Sequence, residues 1–241
     1  MDVAAIPAVR GTLATLLAAE EYQRFAALVD ELDDAEWSRP TDCDAWDVRA
    51  LVSHVVGATE GHTSLREQLH QLRAGREGFA VGVDAVSAVQ VRERRDLEPD
   101  DLRRRLRAAL PAAVRRRTRF ARLGPVPFPV GAPVHERWRS DYLFAVIYTR
   151  DTWLHRVDVA RATGRPLVLT ADHDGRIVAD VVVDWARRHG EPFRLELLGP
   201  AGGSYATAIA GPELRLDAVE LCRILSGRAA GDGLLATPVP F

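Results

Sequence analysis

The segment RDTWLHRVD, residues 150–158, sets Asp151, His155 and Asp158 at spacings of four and three. At about 100° per residue, Phe144, Ile147, Tyr148, Asp151, His155, Asp158 and Ala162 share one face of a helix beginning at Ser140. That face reads as the buried one, with Arg150, Arg156 and Arg161 projecting elsewhere. A carboxylate placed there is costly unless a charge or a metal compensates it. Two arrangements meet the demand. In one, Asp151 accepts a hydrogen bond from His155 one turn on and Asp158 pairs with Arg161. In the other, Asp-x-x-x-His aims an oxygen and a nitrogen at one point, a ligand pair that zinc accepts. The second arrangement needs a third ligand from another helix. VRALVSHVVGATEGH offers His54 on the flank of its apolar stripe and His62 two turns further on, and facing bundle helices build metal sites in this way. His70, His135, His173 and His189 have no partner at ligand spacing and read as ordinary.

The elements that must position these groups follow from hydrophobic period and from turn chemistry. Leu13, Leu16, Leu17, Leu28, Val29 and Leu32 recur at helical spacing over residues 11–33. Asp47 stands as the N-cap of a second helix running to about Leu72. AGREGFAVGVD reads as a loop, followed by a short helical piece. A third helix opens at Pro99, with Pro111 expected to kink or divide it. GPVPFPVGAP, dense in Pro and Gly, is expected to exclude regular structure. The fourth helix runs from Ser140 to Gly164, a left-handed C-cap. Beyond residue 165 the pattern changes to a helix over 174–189, β-like runs FRLELLG and SYATAIAG, a helix LDAVELCRILSG and a terminal apolar stretch. The fold class expected is α+β, mainly α: a four-helix bundle over 1–168 followed by a small α/β domain over 169–241.

Composition removes several function classes. The 32 basic residues, all Arg, nearly balance 34 acidic ones for a net charge of −2, which gives no whole-chain field to recruit nucleic acid or an anionic membrane. The run RRRLRAALPAAVRRRTRFAR holds nine Arg, but they spread around the helix without aromatic interleaving and read as a solvated face rather than a nucleic-acid surface. Glu20 and Glu21 interrupt the only N-terminal apolar run, so no secretory signal is indicated. With no apolar segment near membrane-spanning length, a cytoplasmic protein is expected. Cys43 and Cys222 match no paired spacing and should stay reduced.

TDCDAWDVRALVSHVVG and TRDTWLHRVDVARATGRP together resemble the two signatures of the mycothiol-dependent maleylpyruvate isomerase family, whose N-terminal part is a DinB-like four-helix bundle. The resemblance implies Zn2+ or another divalent metal held by His54, Asp151 and His155, with Asp where the family's isomerase carries Glu. It implies mycothiol as thiol cosubstrate. GPELRLDAVELCRILSGRA resembles the family's C-terminal sterol-carrier-protein-like domain, which makes Arg228 a catalytic or substrate-binding candidate. Three protein ligands would leave a position open for a thiol, whose proton is lost more readily on a metal. The expected function is therefore addition of a low-molecular-weight thiol to an electrophilic small molecule, as an isomerase of maleylpyruvate type or a thiol S-transferase, acting as monomer or homodimer. The alternative is a non-catalytic small-molecule binding protein that retains the bundle metal site. Arg150 is a further candidate for charge stabilisation, with a surface arginine as the plainer reading, and Asp158 can at most orient His155. Trp46 and Trp153 read as packing residues.

Overall fold

The first apolar stripe forms α1 (Gly11–Asp30), which buries Leu17, Tyr22, Phe25 and Val29. α2 (Val48–Gly61) starts where Asp47 Oδ1 accepts the Ala50 N–H at 2.8 Å. The expected single helix to Leu72 is instead two. α2 stops at Gly61, and α3 (Leu65–Arg76) restarts after Ser64, whose Oγ accepts the Glu67 N–H at 3.1 Å and so competes locally with helix continuation. This computed structural model describes residues 1–76, 83–122, 126–130, 136–207 and 211–241. The expected loop over 74–84 is thus helical at both ends, in α3 and in α4 (Val83–Arg92), and its middle, like His135, lies outside the described residues.

α5 (Pro99–Arg122) opens on a proline, whose missing N–H costs nothing in a first turn. It continues through Pro111 undivided, since Leu106 and Leu110 before it and Ala113 after it are all buried in the bundle. Its arginines find local partners: Arg103 donates to Leu32 O at 2.5 Å and Asp100 at 2.8 Å, Arg104 pairs with Asp101 and Arg107 with Asp30.

The Pro/Gly stretch is more regular than expected. β1 (Pro127–Val130) pairs antiparallel with β2 (Glu136–Arg139). Pro127 and Pro129 occupy alternate positions, so both face the free edge and spare the ladder its donors. Val130 and Trp138 of this ribbon bury against Ile147. The fourth helix of the bundle then runs as α6 (Ser140–Tyr142), a π-helical turn (Leu143–Ile147) and α7 (Tyr148–Thr163), ending at Gly164 with φ 74°. α7 is not amphipathic as expected. Trp153, Leu154 and Val157 are fully buried, and Arg150 and Arg156, which the helical wheel sends outward, are only 2% and 3% exposed. Arg156 is tolerated there because Glu21 of α1 accepts from its Nε at 2.7 Å and its Nη2 at 3.1 Å.

Two compact units result, residues 10–165 and residues 1–9 with 166–241. The first nine residues, which hydrophobic pattern leaves with the bundle, belong to the second unit because they extend its sheet. The Met1 ammonium donates to Ser204 O at 2.6 Å and Ala206 N–H to Met1 O at 3.1 Å. In this unit a π-helical turn (Ala171–Gly175) leads into α8 (Arg176–His189), and β3 (Arg194–Leu198) pairs antiparallel with β4 (Gly203–Ala206) and parallel with β5 (Glu213–Asp217). β5 was hidden in the polar stretch ELRLD, an edge strand whose residues alternate between exposed and half-buried. Asp217 ends it and caps α9 (Ala218–Leu225), accepting from Val219 N at 2.8 Å. The fold is α+β, mainly α, and among the described residues no helix is long and apolar enough to cross a membrane.

Candidate metal centre

α2 and α7 pack so that three predicted side chains converge. His54 Nε2 lies 3.6 Å from Asp151 Oδ2, and His155 Nε2 lies 3.3 Å from Asp151 Oδ1. The three side chains offer ligand atoms all within 4.8 Å of one another. Tetrahedral zinc with bonds of about 2.0–2.1 Å sets its ligand atoms about 3.3 Å apart. The two carboxylate–imidazole separations therefore already approximate ligand edges, and the donor set of two nitrogens and a carboxylate suits a divalent cation. The carboxylate is the open member of the group: the Asp151 side chain is 25% exposed, against 7% for His54 and 6% for His155. The expected wholly apolar surroundings are thus corrected, because the face carrying Tyr148 and Asp151 is the half-buried one while the opposite side of α7 fills the core.

His155 is held from both sides. Its Nδ1 lies 3.0 Å from Asp158 Oδ2, a carboxylate with no exposure at all. Cys43 Sγ approaches the same Oδ2 at 3.5 Å. Asp158 does not pair with Arg161, which instead donates to Asp42 at 2.9 Å. A carboxylate on Nδ1 fixes the ring's orientation and leaves Nε2 aimed at the centre of the trio. Burial opposes charge on both members of the Asp151–His155 pair, and their mutual attraction outweighs it. Asp151 is held well below the usual carboxylate range by His155 and His54, while His155 is held well above the usual imidazole value by Asp151, Asp158 and Cys43.

His54 is positioned differently. Its ring stacks on Trp46 with centroids 4.9 Å apart, and it meets the His155 ring edge-on at 5.1 Å. Its Nδ1 is buried without a hydrogen-bond partner among the described residues. Trp46, expected only to pack, therefore touches a candidate ligand, whereas Trp153 is a core residue with no exposure. Cys43 and Trp46 sit in the turn before α2, and their spacing alone carried no signal of contact with residues more than a hundred positions away.

His62 does not join the trio. Its Nδ1 lies 3.3 Å from the Tyr22 hydroxyl and its ring 4.1 Å from that of Tyr148. Burial and the Arg117 guanidinium push its pKa well down, against the pull of Asp151. Arg150 is no surface arginine: its guanidinium sits over the Tyr142 ring at 5.9 Å. His70 pairs with Glu93 at 2.8 Å. Arg228 belongs to the other unit, just beyond α9, where its N–H donates to Arg223 O at 2.8 Å.

The site can be set against known proteins. No curated protein matches the chain. Two solved structures, the mycothiol-dependent maleylpyruvate isomerase and a His-to-Ala mutant of it, are 16% and 17% identical, each aligned over 90% of this chain and 89% of its own, with TM-scores of 0.56. At that identity the likeness is one of fold. The family model described as mycothiol maleylpyruvate isomerase N-terminal domain matches residues 18–160. Because that match spans more than half of the 241 residues and takes in α2 and α7 with the whole trio, the chain belongs to the mycothiol maleylpyruvate isomerase N-terminal domain family.

Proposed function

We propose that this protein is a metal-dependent, thiol-using enzyme of the maleylpyruvate isomerase type, with mycothiol as cosubstrate and an electrophilic small molecule as substrate. The observation that carries the reading is the His54, Asp151 and His155 cluster, closed at its two imidazoles and open at its carboxylate. These three side chains would hold a divalent cation, for which zinc fits the donor set, and the cation would lower the pKa of a thiol bound at its vacant position.

The remaining roles fall to the chain itself. Asp158 orients His155 through Nδ1. Trp46 covers one face of His54 and keeps water from it. Asp151 presents the solvent-facing edge past which thiol and substrate enter. Attack of a thiolate on an activated double bond builds negative charge on the substrate's oxygens, and the resemblance of the C-terminal segment makes Arg228 the candidate cation for that charge. Cys43 and Cys222 form no disulfide. Neither is the nucleophile in this scheme.

The test is thiol-dependent turnover. Wild type should accelerate the reaction of mycothiol with an activated cis double bond such as that of maleylpyruvate, and His54→Ala should lower kcat/KM by at least about a hundredfold, roughly 2.7 kcal/mol of transition-state stabilisation. Equal rates for the two proteins would reduce the chain to a binding protein that keeps the bundle's ligands.

A further inference from the structure

One layer along the α2–α7 seam from the ligand cluster lies a second set of polar side chains that the chemistry above leaves idle. His62 follows His54 by eight residues, about 12 Å of helix, and Tyr148 precedes Asp151 by three. The two helices run in opposite directions, so both steps lead the same way, and the rings of His62 and Tyr148 meet at 4.1 Å. Four elements hold Tyr148 in place. Phe144, in the π-helical turn, meets its ring edge-on at 5.5 Å. The Arg117 guanidinium of α5 stands over it at 5.6 Å, fixed there because its Nε and Nη2 donate to Phe144 O at 3.1 and 3.0 Å and Nη2 donates to Thr149 Oγ1 at 2.7 Å. On the α2 side His62 is braced in turn, its Nδ1 lying 3.3 Å from the Tyr22 hydroxyl of α1.

The tip of this fixed ring is not held. The Tyr148 hydroxyl has no hydrogen-bond partner among the described residues, although a phenol taken out of water ordinarily finds one. Tyr148 lies on the half-buried face of α7 that also carries Asp151, the open member of the cluster. A donor is thus set in advance on the side where a substrate arrives, with no protein acceptor competing for it. Burial raises its pKa, Arg117 pulls it down, and Tyr22 and Asp151 push it up again. The net is upward, so the hydroxyl keeps its proton at neutral pH.

A thiolate that adds to a double bond conjugated to a carbonyl forms one S–C bond and moves the π electrons onto the carbonyl oxygen. The enolate so formed rotates about what is now a single bond, and return of the electron pair expels the thiolate again. We infer that the Tyr148 hydroxyl is the hydrogen-bond donor to that enolate oxygen, with His62 and Arg117 as the positioning residues that hold its ring. The donor's role rests on the enzyme reading above; its unpartnered hydroxyl does not. A donor aimed where charge develops, in a site that excludes bulk water, stabilises the transition state more than the ground state.

The experiment compares full-length, zinc-loaded wild type with Tyr148→Phe, which removes only the hydroxyl, and with protein carrying 3,5-difluorotyrosine at position 148, which keeps the ring and makes the hydroxyl more acidic. Turnover of maleylpyruvate with mycothiol gives kcat and KM, and calorimetry with oxalate, a stable planar stand-in for the enolate, reads the same contact without turnover. Tyr148→Phe should keep its zinc content and hold KM within about threefold while kcat falls by about a hundredfold. It should bind oxalate at least about tenfold more weakly than wild type does. The fluorinated protein should lose kcat at the alkaline end of a pH range over which wild type holds it, because an ionised hydroxyl donates nothing. An unchanged kcat in Tyr148→Phe, a loss of kcat that travels with lost zinc, or equal oxalate affinity in the two proteins overturns the inference. Should Tyr148→Phe melt early, the fluorinated protein decides, and a pH profile that matches wild type overturns it. Failure of the enzyme reading looks different: wild type shows no thiol-dependent turnover, and the oxalate comparison then decides the hydroxyl's role alone.

Discussion

Asp158 illustrates how a residue without access to substrate can still govern a site. It is fully buried, its Oδ2 lies 3.0 Å from His155 Nδ1, and Cys43 shares the same oxygen. Replacing it with Asn keeps the shape, removes the charge and allows the amide to present a donor to a ring nitrogen that itself needs an acceptor. Asp158→Asn should weaken metal affinity by about 10- to 100-fold, read by competition with a chromophoric chelator; an unchanged affinity would show that His155 needs no such support. Within α7, Asp151 and His155 were legible because four residues make one helical turn. From helical period alone His54 was one of two candidates, since nothing in such a period states which helix faces which, and it was the resemblance of TDCDAWDVRALVSHVVG to the family's signature that singled it out. Cys43 and Trp46 were legible through the resemblance as the stretch leading into the His54 helix, but their contacts with the site were not, because a turn has no period from which to project a side chain.

Among the elements, α7 departed furthest from its helical wheel. A surface helix spares one face for solvent, but here Arg150 and Arg156 are buried with the apolar residues, and the π-helical turn before Tyr148 shifts the register of everything upstream. A single residue inserted into a turn leaves no mark on composition, so the wheel drawn through Phe144 to Ala162 could not contain it. The Glu21–Arg156 pair is what lets α7 sit against α1. Its side chains are 1% and 4% exposed, so removing one partner strands the other charge. Glu21→Ala should destabilise the bundle by about 3–5 kcal/mol, seen as a lower midpoint in urea unfolding, whereas a shift within ~0.5 kcal/mol would mean that water reaches Arg156. Helix boundaries were read well where a capping residue marks them, as at Asp47 and Gly164. They were misread at Ser64, where a cap lay inside an otherwise helical pattern.

At the scale of the whole molecule, a change of period near residues 165–173 led to the expected bundle over 1–168 and α/β domain over 169–241, while the compact units are residues 10–165 and residues 1–9 with 166–241. The return of residues 1–9 to the C-terminal sheet was not visible, because strand pairing at such sequence distance depends on an edge that only the folded unit creates. The junction after α7 carries its own acid sensitivity. Arg165 donates to Glu36 Oε1 at 3.0 Å and Oε2 at 2.9 Å. Burial works against the Glu36 charge, but Arg165 and the Asp33 N–H outweigh it and lower its pKa from the ordinary 4.5. A depressed folded pKa contributes stability above the unfolded value, and that contribution is lost as pH falls through the folded one. Wild type should therefore lose melting temperature more steeply than Glu36→Gln on acidification below about pH 4.5; parallel curves would remove the pair from the stability of the fold. The central claim, that His54, Asp151 and His155 together hold a divalent cation, is tested most directly by X-ray absorption and metal analysis of protein purified without chelator. The expected result is close to one equivalent of zinc in a shell of two imidazole nitrogens and carboxylate oxygen, lost in His155→Ala. Wild-type protein that takes up no cation from zinc-replete buffer, or takes up as much after all three ligands are replaced, would contradict it.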